Sequence, residues 1–585
     1  MIYYTVNQQI AIITWAMTSS PMNVLNDESI PQFEAALEQA FADESVKGII
    51  ITSAKPEFVA GADLKMILHN NDKNPSEMLK VSMGLNRVFR RMETLGKPIV
   101  AAMNGTALGG GYEICLACHH RVALDNPKSV IGLVEVTIGL LPGGGGTQRL
   151  PRMIGIQAAL PLMLEGKKVG VSEALKLGMV DEVADSPADM MEKAKAWIAA
   201  NPAPLRPWDS IDRKTGKIVG KENFSVPGGN VQSAVGAQIF GTGTAMLMEK
   251  TKGNYPAPLA IMACVYEGLQ VNMDRAIMIE ARYFVQVATS KVAKSMIQTL
   301  FLGMNEVNKG ISRPREPKTE VKKLGILGNR PMVAGLVSLS ERAGVEVVLL
   351  KDTTSEPDLT SFDLLIEAMS GSQTRSDVRV WPDNTVGVHS LWPLAESQVV
   401  EIIASRQTAD STLATAFDYV RKIRKTPIIV SDSPGFYLSR CAETYRAEGL
   451  LMLTEGINPV LIDNGGKGAG MPIGPLATVE HLPAVPSQNE HQPTLEEVKT
   501  RLLYRQALEA VRCLGETVVR TKLDADIGSI LGWGFPAYTG GAVSFVDFVG
   551  IETFITTCNR LADTYGERFR PGTALRGLAD KKAFA

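Results

Sequence analysis

The residues best suited to chemistry lie between Phe58 and Gln148. Asn104-Gly-Thr-Ala-Leu-Gly-Gly-Gly-Tyr-Glu113 runs from a strand-like segment through three glycines toward a helix. Glycines there let a ligand approach the backbone closely. A helix opening near Gly110 or Gly111 would leave N–H groups unpaired at the positive end of its dipole, a setting that suits a developing oxyanion. Glu113 follows directly. Glu135 comes 22 residues later as the lone charge in the apolar run Ile131 to Leu141. An isolated buried carboxylate costs several kcal/mol unless paired or neutralised. If the fold brings the two glutamates together, repulsion and desolvation raise at least one pKa, which supplies an acid and a base near neutral pH. Taken singly, Glu135 could instead reach solvent at a strand end and Glu113 could cap a helix.

The elements that must position these groups read as α/β. Short β-branched runs (IAIITW, VKGIIITS, KPIVAAMNG, HHRVALD) alternate with helical stretches at Asp27 to Asp43 and Pro75 to Glu93. Phe58-Val-Ala-Gly-Ala-Asp63 follows one of the strands. Cys115-Leu-Ala-Cys118-His119 fits the C-x-x-C-H pattern of haem attachment, but there is no export signal and no second ligand pair at zinc spacing, so packed thiols are expected and no metal.

F-V-A-G-A-D, N-G-x-A-L-G-G-G-x-E and I-G-L-x-E-x-x-I-G-L-x-P-G-x-G-G-T-Q-R-L resemble the enoyl-CoA hydratase (crotonase) family. The resemblance implies oxyanion-hole N–H groups at Ala62 and Gly110 and catalytic carboxylates at Glu113 and Glu135. It also implies hydration of a trans-2-enoyl-CoA to a 3-hydroxyacyl-CoA, with no cofactor required. Lys65 is a candidate for a CoA phosphate contact, or a solvated lysine.

A second constellation lies downstream. Gly325-Ile-Leu-Gly328-Asn-Arg330-Pro-Met-Val333 stands where a dinucleotide fingerprint would, and VEVVLLKD ends in Asp352, 24 residues after Gly328, at the place of a ribose-binding acid. Arg330 and Val333 occupy the second and third glycine positions, which argues against NAD, although an Arg can also pair with phosphate. His389 and Glu401, twelve residues apart, suit a base and the carboxylate that orients it, or an ordinary loop His and surface Glu. VKKLGILG, the Gly387-Val-His389 turn, VVEII, IIVSDSPGF and DADIGSILGWGFPAYTGG resemble 3-hydroxyacyl-CoA dehydrogenases of the multifunctional fatty-acid-oxidation type, which implies that His389 and Glu401 are a dehydrogenase dyad, here vestigial. Ser439 stands where that family commonly has Asn. Segments after Asp352 and Met369 are short for crossover helices.

Length sets a soft expectation of about four domains. The organisation expected is an α/β multidomain chain: a crotonase-like domain over 1–200, a connector with linker helices over 201–320, a reduced Rossmann-like domain over 321–432 and a helical region over 433–585. The last contains an echo, Gly468-Ala-Gly-Met-Pro472 and Gly532-Trp-Gly-Phe-Pro536, 64 residues apart. With 45% apolar and 21% charged residues and a net charge of −2, the composition is that of a folded globular chain without a basic field for nucleic acid. No apolar run approaches ~18 residues and the N-terminus lacks signal-peptide features, so a cytoplasmic location without a membrane segment is expected. Acyl-CoA is the expected substrate, with a thiolase subunit or a second copy as candidate partners. The alternatives are a bifunctional hydratase and NAD-dependent dehydrogenase, or a non-catalytic assembly subunit for a thiolase.

Overall fold

The computed structural model describes residues 1–71, 74–328, 330–350, 359–369, 383–391, 393–477, 479, 481–482, 491–573 and 575. The chain divides into two compact units, Met1–Ile297 and Gln298–Ala585.

The first unit is built on a six-stranded sheet, in the order Ile2–Asn7, Ile10–Trp15, Gly48–Ser53, Ile99–Met103, His120–Leu124 and Glu182–Ala184. The first pair is antiparallel and the others parallel. Side chains of a strand alternate between faces, and both faces of a parallel sheet are normally covered. That is why IIITS carries no polar alternation: Ile49 and Ile51 enter the main core, while Ile50 faces a second cluster with Met190, Ala194 and Ile198 of the helix Pro187–Ala200. A short three-stranded sheet, Ala107–Leu108, Val130–Gly132 and Val169–Gly170, lies beside the glycine-rich turns.

Residues 201–297 belong to this unit and contain more regular structure than weak periodicity suggested. A hairpin pairs Asp209–Ile211 with Ile218–Gly220, and a helix spans Ala234–Thr251. That helix buries only Gly236, Leu247 and Thr251, and its glycines blur the 3.6-residue apolar signal. Helices Pro256–Gly268 and Met273–Ala288 follow.

The second unit pairs a Rossmann-like sheet with a helical C-terminal region. Its strands lie in the order Glu346–Leu349, Lys323–Gly328, Leu364–Ala368, Thr385–His389, Val399–Ala404 and Thr426–Ser431. All neighbours are parallel except Thr385–His389 against Val399–Ala404. The helix Arg330–Arg342 links the first two strands in chain order. From residue 438 the described chain is mostly helical, and the two Gly-x-Gly-x-Pro turns follow the helices Pro459–Gly468 and Lys522–Trp533. No described helix is long and apolar enough to cross a membrane.

Candidate active site

Gly109 and Gly110 sit at the turn into the helix Gly110–Ala117. Gly109 has φ 52°, a left-handed conformation that favours glycine. The turn places both carboxylates at adjacent glycines: a Cβ added at Gly109 would fall 2.9 Å from Glu135 Oε1, and one at Gly110 would fall 3.9 Å from Glu113 Oε2. The same Gly110 position lies 3.7 Å from Ala62 N. Ala62 belongs to a short parallel bridge with Leu25, in which Leu25 N–H donates to Gly61 O and Asp63 N–H to Leu25 O. The bridge leaves the Ala62 N–H out of the ladder, and the Gly110 N–H opens a helix. Among the described residues neither donates to a protein acceptor.

Glu113 is buried, and its Oε1 accepts the Gly144 and Gly146 N–H groups, each at 2.7 Å. Burial pushes its pKa up to about 7 against the pull of those two amides. Glu135 starts a one-turn 3-10 helix, Glu135–Ile138; its Oε2 is buried with no hydrogen-bond partner among the described residues. Burial, and then the Glu113 charge, hold its carboxyl well above the usual range. The four positions Ala62, Gly110, Glu113 and Glu135 therefore come together around one turn.

Sequence reasoning missed a third carboxylate. Glu280, fully buried on the helix Met273–Ala288, accepts from Gly145 N at 2.5 Å, Thr147 N at 3.0 Å and Thr147 Oγ1 at 2.5 Å. Burial and the Glu113 charge push it up to about 8. The signal was present: Met273, Ala276, Ile277, Glu280 and Ala281 are the buried stripe of an amphipathic helix, with an acid at one apolar position. The loop is held from other sides by Asn86 Nδ2, which donates to Gly143 O at 2.7 Å, and by Arg149 Nη1, which donates to Gly144 O at 2.8 Å. Arg149 is itself buried and paired with Glu93 through two bonds of 2.9 and 3.0 Å. Burial opposes the Glu93 charge, yet Arg149 and Arg90 bring its pKa down to about 2.

Cys115, Cys118 and His119 do not form a ligand set. The thiols are free and buried, with pKa values pushed up by burial. His119 Nδ1 accepts the Ile99 N–H at 3.2 Å, its Nε2 lies 3.3 Å from Glu93 O, and burial lowers its pKa to about 4. Among the described residues no group of metal-ligating side chains occurs.

In the second unit, His389 and Glu401 are direct cross-strand partners of the antiparallel pair. His389 Nδ1 lies 2.5 Å from Glu401 Oε2, and Glu401 Oε1 accepts the Tyr437 and Leu438 N–H groups at 2.9 Å each. Gly328, with φ 111°, ends its strand so near the neighbouring one that an added Cβ would lie 2.2 Å from Ala368 O. Asp352 lies outside the described residues, as does the Arg330 side chain, and so does most of the two short crossovers.

Residues 5–204 match the model of the enoyl-CoA hydratase/isomerase family. Residues 363–433 match the NAD-binding domain of 3-hydroxyacyl-CoA dehydrogenase, and residues 435–483 match its C-terminal domain. The chain thus joins a hydratase/isomerase domain to a 3-hydroxyacyl-CoA dehydrogenase region. The fatty acid oxidation complex subunit alpha of Shewanella baltica (strain OS185) is 28% identical, over 98% of this chain and 98% of its own. That of Shewanella frigidimarina (strain NCIMB 400) is 28% identical, over 97% of each. The first of these alignments runs over 707 positions against 585 residues, so over a hundred positions of the relative have no counterpart in this hydratase–dehydrogenase chain. A crystal structure of enoyl-CoA hydratase from Bacillus halodurans is 21% identical, covers 51% of this chain and 98% of that one, and has a TM-score of 0.36.

Proposed function

We propose that the first unit adds water across the double bond of a trans-2-enoyl-CoA, giving a 3-hydroxyacyl-CoA in fatty-acid β-oxidation or related acyl-CoA degradation. The observation that carries this reading is the convergence of two carboxylates with raised pKa values, the buried Glu113 and Glu135 with its buried Oε2, on one pair of glycines, beside two unengaged N–H groups. The thioester carbonyl would accept from Ala62 and Gly110 N–H, making C3 electrophilic and stabilising the charge that gathers on oxygen. Glu113, fixed by two amides and titrating near neutrality, orients and deprotonates the attacking water. Glu135, whose carboxyl burial and the Glu113 charge hold well above the usual range, shares that water and delivers a proton to C2. The test follows loss of the conjugated-thioester absorbance of crotonyl-CoA. Glu113→Gln and Glu135→Gln should each cost at least ~10²-fold, and near-normal rates in both would overturn the assignment.

Hydride transfer by the second unit is read as lost. Gly328 is accounted for by strand packing, and Val333, at the third fingerprint position, packs against the core of the Rossmann-like sheet where a glycine would let helix and strand approach. The NAD-binding match begins at residue 363, past this turn. These residues do not fit a dinucleotide, so no NAD-dependent step is assigned. Isothermal titration with NAD should give no binding heat, and NADH formation from 3-hydroxybutyryl-CoA at a rate near that of hydration would restore the bifunctional alternative. The relatives are named as subunits of a fatty acid oxidation complex, which supports a role within an assembly; a thiolase partner and a cytoplasmic location are part of this proposal. Co-purification of a thiolase, together with an absence of hydratase turnover, would favour a purely assembling role instead.

A further inference from the structure

We infer that Ser439, His389 and Glu401 form a nucleophile–base–acid triad that hydrolyses acyl thioesters or esters. Ser439 Oγ lies 3.2 Å from His389 Nε2, and on the far side of the ring Nδ1 lies 2.5 Å from Glu401 Oε2. Glu401 is fully buried and its other oxygen is engaged by two backbone amides, so the carboxylate holds Nδ1–H and leaves Nε2 as the acceptor. Ser439 O–H then donates to Nε2. This is the chain of contacts that activates a serine: nucleophile to base, base to orienting acid.

The Ser439 hydroxyl is committed to this contact. Hydroxyls inside helices commonly bond back to a carbonyl of the preceding turn, as Thr444 does to Cys441 O in the same helix, Leu438–Thr454. For Ser439 the carbonyl four residues back is Gly435 O, which accepts the Arg440 N–H instead. Ser439 is the second residue of its helix, and its own N–H has no acceptor among the described residues, which leaves one donor for a carbonyl oxygen beside the nucleophile. Ser439 also lines a cavity of about 290 Å³ whose walls include the apolar Leu391, Met471, Ile473 and Trp533, suited to an acyl chain, together with the charged Glu443 and Arg446. An amide side chain at this position could not act as such a nucleophile. The serine at residue 439 is therefore what converts a His–Glu pair into a triad.

The chemistry balances with water as the only co-reactant. Oγ attacks the acyl carbon as its proton passes to Nε2. The carbon–sulfur or carbon–oxygen bond then breaks, and the leaving thiol or alcohol takes that proton. Water attacks the acyl-serine ester, gives a proton through Nε2 back to Oγ, and the carboxylic acid departs. Nothing is oxidised or reduced.

The test uses the full chain with a fluorophosphonate probe, peptide mapping by mass spectrometry, and two substrate sets: p-nitrophenyl butyrate and octanoate, and saturated butyryl- and octanoyl-CoA with thiol trapping. Saturated thioesters offer no double bond for the first unit, so failure here is separate from failure of the hydratase reading. The expected result is one covalent adduct per chain on Ser439, with turnover of at least one set. Ser439→Ala should remove the adduct and lower hydrolysis at least ~10²-fold, and His389→Gln should slow labelling by a similar factor. Ser439→Cys, which keeps a nucleophile, should become labelled by iodoacetamide faster than the buried native cysteines. Circular dichroism and melting of each variant separate misfolding from loss of the nucleophile. Release of CoA assigns thioesters, and release of nitrophenol alone assigns esters. A wild-type chain that folds, takes no adduct at Ser439 and hydrolyses neither set faster than Ser439→Ala overturns the proposal.

Discussion

Glu113 and Glu280 divide the amides of one loop between them. Glu113 takes the N–H groups of residues 144 and 146, and Glu280 takes those of 145 and 147. The chain there can turn successive amides to opposite sides because residues 143 to 146 are all glycine, and Gly145 has φ 90°. The carboxylate assigned to water activation is thus held by a loop that a second acid holds from behind.

Replacing that second acid tests its part as a positioning residue. Glu280→Gln keeps size but loses one of the two acceptor oxygens, which leaves an amide of residue 145 or 147 poorly matched. Hydration kcat should fall roughly 10-fold with KM little changed, since a small displacement of a proton-transfer group costs rate more than binding. An equal loss of kcat in Glu280→Ala and Glu280→Gln with a large rise in KM would point to collapse of the pocket instead.

Gly109→Ala is a steric test of the Glu135 placement. The added carbon would lie 2.9 Å from Glu135 Oε1, at a backbone φ that alanine disfavours. Hydration should drop at least ~10²-fold, whereas Gly84→Ala, where an added Cβ meets nothing within 4 Å, should leave it unchanged. Steady-state rates on crotonyl-CoA decide it.

The pH dependence of hydration follows from the two raised carboxyls. Glu113 must be ionised to accept a proton, so kcat/KM should rise as pH passes through about 7. Glu135 must be protonated to donate, so the rate should fall again on the alkaline side. Because the two acids interact, the bell reports the pair rather than either residue. A profile flat from pH 6 to 9 would contradict the roles given to them.

Stability should shift with pH in two opposite windows. Glu280 has a folded pKa raised to about 8, so its contribution is fully present below the unfolded carboxylate pKa and is lost as pH rises toward 8. Urea unfolding of the wild type relative to Glu280→Gln should therefore weaken between pH 5 and 8, by on the order of a few kcal/mol. Glu93 has the reverse sign: held down to about 2, it contributes above the unfolded carboxylate pKa and loses that contribution as pH falls toward 2. Glu93→Gln leaves Arg149 buried beside a neutral partner and should destabilise the first unit by roughly 3–5 kcal/mol at pH 7. A change under about 1 kcal/mol would mean that the buried Arg149 does not depend on the Glu93 charge.

Much of this site was legible because its signals are local. The glycines before Glu113 and the lone charge at Glu135 each stand out within a dozen residues, as do the strands, which read as short β-branched runs. Glu280 was not legible in the same way. Its partner amides lie over 130 residues earlier, and a helix carrying one acid in its apolar stripe differs little from one whose acid faces water until the neighbouring loop is known. The His389 and Glu401 spacing left two readings open, since twelve residues fit a strand, turn and strand or two unrelated surface positions. Only the antiparallel register makes them neighbours. The helix Ala234–Thr251 escaped notice because small residues supply packing without periodicity.

That antiparallel register carries a consequence for how such a chain can shrink. The imidazole and its acid are fastened by a rung of the ladder and by two amides at the start of the helix Leu438–Thr454, all of them downstream of the segments where crossovers would run. Deletions nearer residue 350 can therefore erode one end of the sheet while a proton-handling pair at the other end stays taut, ready to serve whatever side chain chance substitution sets against it.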